Sequence, residues 1–128
     1  MSSTSRTVVV TGAASGIGLA TAEAFAATGA HVIVADIARD KGEETAAKLR
    51  ACGKRADFIE LDIASDASID AFAKKALDLG DVHVLANVAG YGKGQPFVEN
   101  TSDFWDRVVD INLMGPVKLT RALLEPMI

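Results

Sequence analysis

Apolar residues in this chain follow two alternating rhythms, short unbroken runs and longer stretches with a helical period. Thr7 to Thr11 (TVVVT) is a β-branched run leading into a glycine, the pattern of a strand covered on both faces. From Gly16 to Thr28, alanines accompany Ile17, Leu19 and Phe25. This predicts a helix of small side chains that packs closely on a sheet, with Gly29 as its stop. His31 to Ala35 (HVIVA) reads as a second strand. Arg39 to Ala51 reads as a second helix, with a charged face of Asp40, Lys41, Glu43, Glu44, Lys48 and Arg50, and Gly53 ends it. Arg55 to Leu61 is a third strand. Ser65 or Asp66 can cap the next helix, whose Ile69, Phe72, Ala73, Ala76 and Leu79 recur at helical spacing. Val82 to Ala86 is a fourth strand and Asn87 to Asn100 a glycine-containing loop. Ser102 then opens a helical stretch with Phe104, Val108 and Ile111 on one face, stopped by Pro126.

Strands alternating with helices of this length imply right-handed crossovers and a parallel sheet, so the expected class is α/β. Residues 1–128 read as a single domain, without linker, repeat or low-complexity segment. With 49% hydrophobic and 23% charged residues the chain has the balance of an ordinary globular domain able to bury a sizeable core. Thirteen Lys+Arg against 17 Asp+Glu give a net charge of -4. That leaves no basic field for a phosphate backbone and argues against nucleic acid as a partner. A single cysteine, Cys52, cannot form an internal disulfide, and no paired Cys/His spacing offers a metal site, which points to a reducing, cytoplasmic setting. Met1 to Arg6 shows no apolar signal region and no 18-residue apolar window exists, so neither secretion nor membrane spanning is expected.

The most informative stretch is Thr11-Gly12-Ala13-Ala14-Ser15-Gly16-Ile17-Gly18, between the first strand and the first helix. Gly12 permits the tight turn, Gly16 lets backbone approach a pyrophosphate, and Gly18 lets the helix sit close to the sheet. The helix N-terminus then faces the anion. Any tight strand-to-helix turn can favour glycine, so the turn by itself is weak evidence. Asp36 adds to it, ending the second strand eighteen residues after Gly18, where a carboxylate meets an adenosine ribose. A carboxylate there accepts from both ribose hydroxyls of NAD and repels the 2′-phosphate of NADP, so NAD is favoured. Ile37 beside it and Ser15 in the turn are neutral, and Arg39 is the nearby guanidinium. The alternative for Asp36 is a helix cap or a solvated loop residue.

At these residues the chain resembles the short-chain dehydrogenase/reductase family, whose glycine motif has the TGxxxGxG form of Thr11 to Gly18. Leu61-Asp62-Ile63 matches the family's adenine contact, and Asn87-Val88-Ala89-Gly90 resembles its NNAG turn with valine for the second asparagine. Asn112 matches the asparagine of its catalytic tetrad. The resemblance implies a Rossmann-type doubly wound parallel sheet in strand order 3-2-1-4. It also implies cofactor contacts from Gly12, Ser15, Gly16, Ile17, Gly18, Asp36, Ile37, Asp62, Ile63, Asn87, Ala89 and Gly90. Simpler readings are a strand end for Asp62, a plain turn for residues 87–90 and a mild helix breaker for Asn112. His83 stands where the family carries aspartate and Ala86 where it has a larger residue, departures expected to be packing variation. Val88 is expected to loosen its turn.

By resemblance the parent is an NAD-dependent oxidoreductase that moves hydride between the nicotinamide and a small alcohol or carbonyl substrate. The family's serine, tyrosine and lysine, which hold the carbonyl oxygen and transfer its proton, lie past Ile128, so the chain matches the N-terminal half of the family's domain. The sole tyrosine, Tyr91, is followed at +4 by Gln95 rather than lysine and reads as a loop residue. The chain alone is therefore expected to be inactive, and its substrate is unreadable. An apolar fourth strand left at the sheet edge, with apolar helical positions such as Trp105 and Leu124, predicts self-association as a homo-oligomer, strand exchange, or pairing with a C-terminal fragment. A non-catalytic NAD-binding sensor or interaction module is the alternative. A vestigial, cofactor-free assembly element is disfavoured by the intact Gly12, Gly16, Gly18 and Asp36. His31 and His83 read as structural strand histidines, and Cys52 as a bystander.

Overall fold

The computed structural model describes residues 6–128. Four parallel strands, β1 (Thr7–Thr11), β2 (His31–Asp36), β3 (Ala56–Glu60) and β4 (Val84–Ala86), form one sheet in the order β3-β2-β1-β4. Helices α1 (Gly16–Ala27), α2 (Arg39–Ala51) and α3 (Asp66–Asp78) supply the crossovers, and α4 (Ser102–Val109) and α5 (Gly115–Leu124) follow β4. The predicted class and strand order are those observed.

Alternation along β1 divides the core in two. Val8 and Val10 point into one cluster with Val32, Val34, Ala22, Ala26, Ala46 and Leu49, beneath α1 and α2. Val9 points the opposite way, with Ile33, Ile59, Phe72, Leu119 and Leu123, beneath α3 and α5. Both faces are covered at the centre of the sheet, which is why β1 and β2 are apolar runs rather than alternating ones. The alanine-rich α1 fits because its buried positions, Gly18, Ala22 and Ala26, are small enough for close approach.

Several boundaries shift from expectation for identifiable reasons. Ser65 rather than Asp66 caps α3, its hydroxyl accepting from the Ser68 N–H. Leu79, expected on the buried face, is the C-cap and is 45% exposed, since the helix has ended before it. Strand β4 begins at Val84, two residues late. The His83 N–H still donates to the Thr7 carbonyl, but the return bond from Thr7 N–H goes to His83 Nδ1 at 3.0 Å, a side chain in place of a ladder carbonyl. His83 is therefore a fastening and not mere packing variation. The loop 87–100 contains a short 3-10 turn, Phe97–Glu99. The stretch expected as one helix from Ser102 is interrupted by a π-helical turn, Asp110–Met114, centred on Asn112, and Pro126 lies in a terminal 3-10 turn.

Further side-chain fastenings cross the amino ends of the strands. His31 Nε2 lies 2.6 Å from Asp57 Oδ2, joining β2 to β3, and the buried Nδ1 of His31 has no partner among the described residues. Arg50, near the end of α2, donates to the Ala56 carbonyl at 2.8 Å. Among the described residues no helix is long and apolar enough to cross a membrane, and no group of three His, Cys, Asp or Glu side chains could hold a metal ion.

Candidate functional site

A cleft of about 510 Å³ opens at the carboxyl ends of the strands, the place where an open α/β sheet offers a crevice to ligands. Its floor is the turn after β1. The ideal Cβ position on Gly18 lies 2.0 Å from the Gly12 carbonyl oxygen, so the first turn of α1 reaches the loop only with glycine there. Gly16 has φ 57° and nothing within 4 Å of a Cβ position, so its backbone requirement is met on open surface. Ser15 is the N-cap of α1, yet its hydroxyl makes no cap bond. Ile17 and Ile37 border the cleft while 77% and 58% exposed.

Asp36 ties two segments together. One carboxylate oxygen accepts from the Ala14 N–H at 3.0 Å and the other from the Ala38 N–H at 2.9 Å, which links the glycine loop to the turn into α2. An ionised carboxylate offers about four lone-pair sites, so two such bonds leave capacity for two more donors. Asp62 sits half-buried at the end of β3's run, its Oδ1 accepting from the Ala64 N–H, while the Ser68 hydroxyl accepts from the Asp62 N–H.

The opposite wall is held by Thr11. Its hydroxyl oxygen accepts from the N–H groups of Val88 and Ala89, at 2.9 and 3.0 Å, and contacts the Ala86 carbonyl at 3.4 Å. The turn at 87–90 is thus fastened from β1 through backbone N–H groups that do not depend on the side chain at Val88. The missing asparagine side chain is not what fastens it.

Of the residues singled out from sequence, Gly12, Ser15, Ile17, Gly18, Asp36, Ile37, Asp62, Ile63, Ala89 and Gly90 line this cleft. Gly16 instead lines a neighbouring depression between α1 and α2. Asn87 turns away from the cleft, its amide donating to Thr120 Oγ1 at 3.2 Å on α5. Asn112 lies behind Tyr91: its Oδ1 accepts from the Tyr91 N–H at 2.8 Å and its Nδ2 donates to the Tyr91 carbonyl at 2.6 Å. Sequence reading missed Arg107. Its guanidinium lies 5.1 Å from the centre of the Tyr91 ring and lines the cleft as its one cation among the described residues. Only the helical phase of Ile111, one turn further on and also at the cleft, pointed towards it.

The short chain dehydrogenase family model matches residues 6–128. An uncharacterized oxidoreductase of Bacillus subtilis is 39% identical over 125 residues, 96% of this chain and 46% of that protein. Galactitol 2-dehydrogenase of Agrobacterium fabrum is 41% identical over 125 residues, 96% of this chain and 47% of its own length. Among solved structures, a short chain dehydrogenase/reductase from Burkholderia phymatum in complex with NAD superposes with a TM-score of 0.92 at 33% identity, covering 99% of this chain and 46% of that one. Hydroxysteroid dehydrogenase from Escherichia coli gives 0.91 at 30% identity, with 99% and 56% covered. The chain spans about half the length of these relatives.

Proposed function

The chain belongs to the short chain dehydrogenase family, and from that premise we propose that it is the NAD-binding half of an oxidoreductase that moves hydride between a nicotinamide and an alcohol or carbonyl. Residues 1–128 form part of one dinucleotide-binding domain in this reading. The observation that carries it is Asp36, a carboxylate at the mouth of the cleft whose two oxygens are aimed by the Ala14 and Ala38 N–H groups and still have acceptor capacity. That is the chemistry of a ribose diol. A 2′-phosphate would meet the same negative charge, so NAD is preferred to NADP.

The remaining residues fit a dinucleotide. The N-terminus of α1 suits a pyrophosphate, with Gly12, Ser15 and Gly18 shaping the turn in the cleft and Gly16, the first residue of α1, lining the depression beside it. Ile17 and Ile37 give exposed apolar surface to a bound cofactor, and Asp62 and Ile63 border an adenine position. Ala89 and Gly90 form the wall beneath a nicotinamide ribose, with Asn87 fixing that wall to α5. Bound NAD would supply the hydride acceptor or, reduced, the donor. Asn112 is the tetrad asparagine; in this structure it positions the Tyr91 segment of the wall.

Residues 1–128 hold no tyrosine with lysine at +4, since Tyr91 is followed there by Gln95. In our reading this chain by itself binds cofactor and turns over nothing, as loss of acid/base chemistry costs roughly 10² to 10⁴ in rate. The single exposed thiol, Cys52, suits a cytoplasmic setting. Calorimetric titration with NAD and NADP tests the proposal. NAD is expected to bind at least about tenfold more tightly, the margin set by one charge-assisted contact exchanged for a repulsion. Equal affinities, or no binding of either, would overturn it, and so would alcohol-dependent NADH formation by these 128 residues.

A further inference from the structure

Asp36 lines the cleft, and its neighbours on β3 and α2 carry a second charge relationship; the following rests on the cofactor reading above. The register partner of Asp36 on β3 is Glu60. Three residues past Asp36, in the first turn of α2, stands Arg39, whose Nη2 donates to Glu60 Oε1 at 2.8 Å. The hydrogen bond and charge of Glu60, with the charges of Asp40 and Glu43, raise the Arg39 pKa above its already high ordinary value.

A phosphate on the adenosine ribose needs a cation beside Asp36 to offset that carboxylate. Arg39 has the right chemistry, a planar guanidinium that binds phosphate through paired N–H donors. It is already engaged. The side chains of Arg39 and Glu60 are 69% and 47% exposed, so solvent screens the pair and nothing buried locks it in place. Arg39 is free to swing once Glu60 releases it.

We propose that Glu60 sets cofactor specificity by holding Arg39, so that this guanidinium, three residues past Asp36, is withheld from a 2′-phosphate. Neither Glu60 nor Arg39 lines the cleft as it stands, and Glu60 acts as a positioning residue through Arg39. Asp36 and Glu60, side by side on neighbouring strands, then discriminate in two ways: Asp36 repels the phosphate and Glu60 removes its counter-charge.

The test uses 5′-AMP and 2′,5′-ADP as calorimetric probes of the wild-type protein, of Glu60→Gln and of Glu60→Gln combined with Arg39→Ala. Wild type is expected to bind 5′-AMP the more tightly. Glu60→Gln should leave 5′-AMP unchanged and tighten 2′,5′-ADP about threefold at low salt, the scale of one exposed ion pair. Adding Arg39→Ala should abolish that gain. A merely structural role for Glu60 would move both probes together. An unchanged ratio in Glu60→Gln overturns the proposal, and a gain that survives loss of Arg39 overturns the route through it. If the wild-type protein binds neither probe, the adenosine site itself is refuted.

Discussion

Asn112 holds both halves of one peptide-flanked residue: its amide nitrogen donates to the Tyr91 carbonyl and its amide oxygen accepts from the Tyr91 N–H. A side-chain amide thereby imitates a strand neighbour for the loop after β4. It is presented by the π-helical turn at Asp110–Met114, whose wider spiral interrupts the helix there. Arg107 and Phe104, both on α4, meet the ring of the same tyrosine.

Replacing Asn112 by alanine removes both bonds and should cost about 1 kcal/mol, each bond being solvent-exposed. Asn112→Asp keeps the acceptor but sets a carboxylate against the Tyr91 carbonyl, so it should destabilise at least as much. Chemical denaturation of the two variants checks the order. Asn112→Asp matching wild type would show that the donor half is idle.

Gly18 and Gly16 should respond differently to alanine. A Cβ on Gly18 would lie 2.0 Å from the Gly12 carbonyl oxygen, a backbone clash that no rotamer relieves. We expect a loss above about 3 kcal/mol and failure to bind NAD. Gly16→Ala meets no atom and bears only the left-handed backbone strain of about 1–2 kcal/mol. Thermal unfolding of both variants separates steric from conformational need; equal effects would contradict the contrast.

Asp36→Asn tests the double bridge. The amide retains one oxygen for two N–H groups, so either Ala14 or Ala38 loses its acceptor. NAD affinity is expected to fall about tenfold, and the preference for NAD over NADP to shrink. Titration with both nucleotides reads each effect.

His83 was legible as a departure from the family pattern but not as a bond. Only the structure shows that its Nδ1 accepts from Thr7 N–H. The aspartate expected at that position offers an acceptor too, so His83→Asp should be tolerated within about 0.5 kcal/mol while His83→Leu loses about 1 kcal/mol. Denaturant midpoints for the two variants decide it, and a tolerated leucine would dismiss the bond.

β4 has β1 as its only strand partner among the described residues, leaving its other edge without one. Phe97 and Val98, which follow it, are 73% and 89% exposed. The isolated chain should self-associate at micromolar concentration, as open edges do. Light scattering that shows a monodisperse monomer near 13.3 kDa would count against this.

What the sequence made readable was local. The β-branched run of β1, the glycines after it and Asp36 at the end of β2 announce themselves within a few residues, and α3 shows its buried face by period alone. The features that escaped are long-range. Thr11 fastening Val88 and Ala89, Arg107 reaching the cleft over Tyr91, and Asn112 bonding a residue 21 positions earlier leave no periodic trace. At Asn112 a mild helix breaker was readable but the π-helical form of the interruption was not, since a helical stretch that slips one residue keeps its apolar composition while changing its phase.

The bonds from His83, His31 and Arg50 all fall at the amino ends of the strands, whereas Asp36, Thr11 and the glycine turn crowd the carboxyl ends. The sheet therefore has one pole fastened by side chains and one that opens as a cleft. Substitutions at the first pole bear on how long the protein lasts, while those at the second, where a Cβ on Gly18 would strike the Gly12 carbonyl, bear on the frame and the crevice together, so a lineage can revise the first pole more freely than the second.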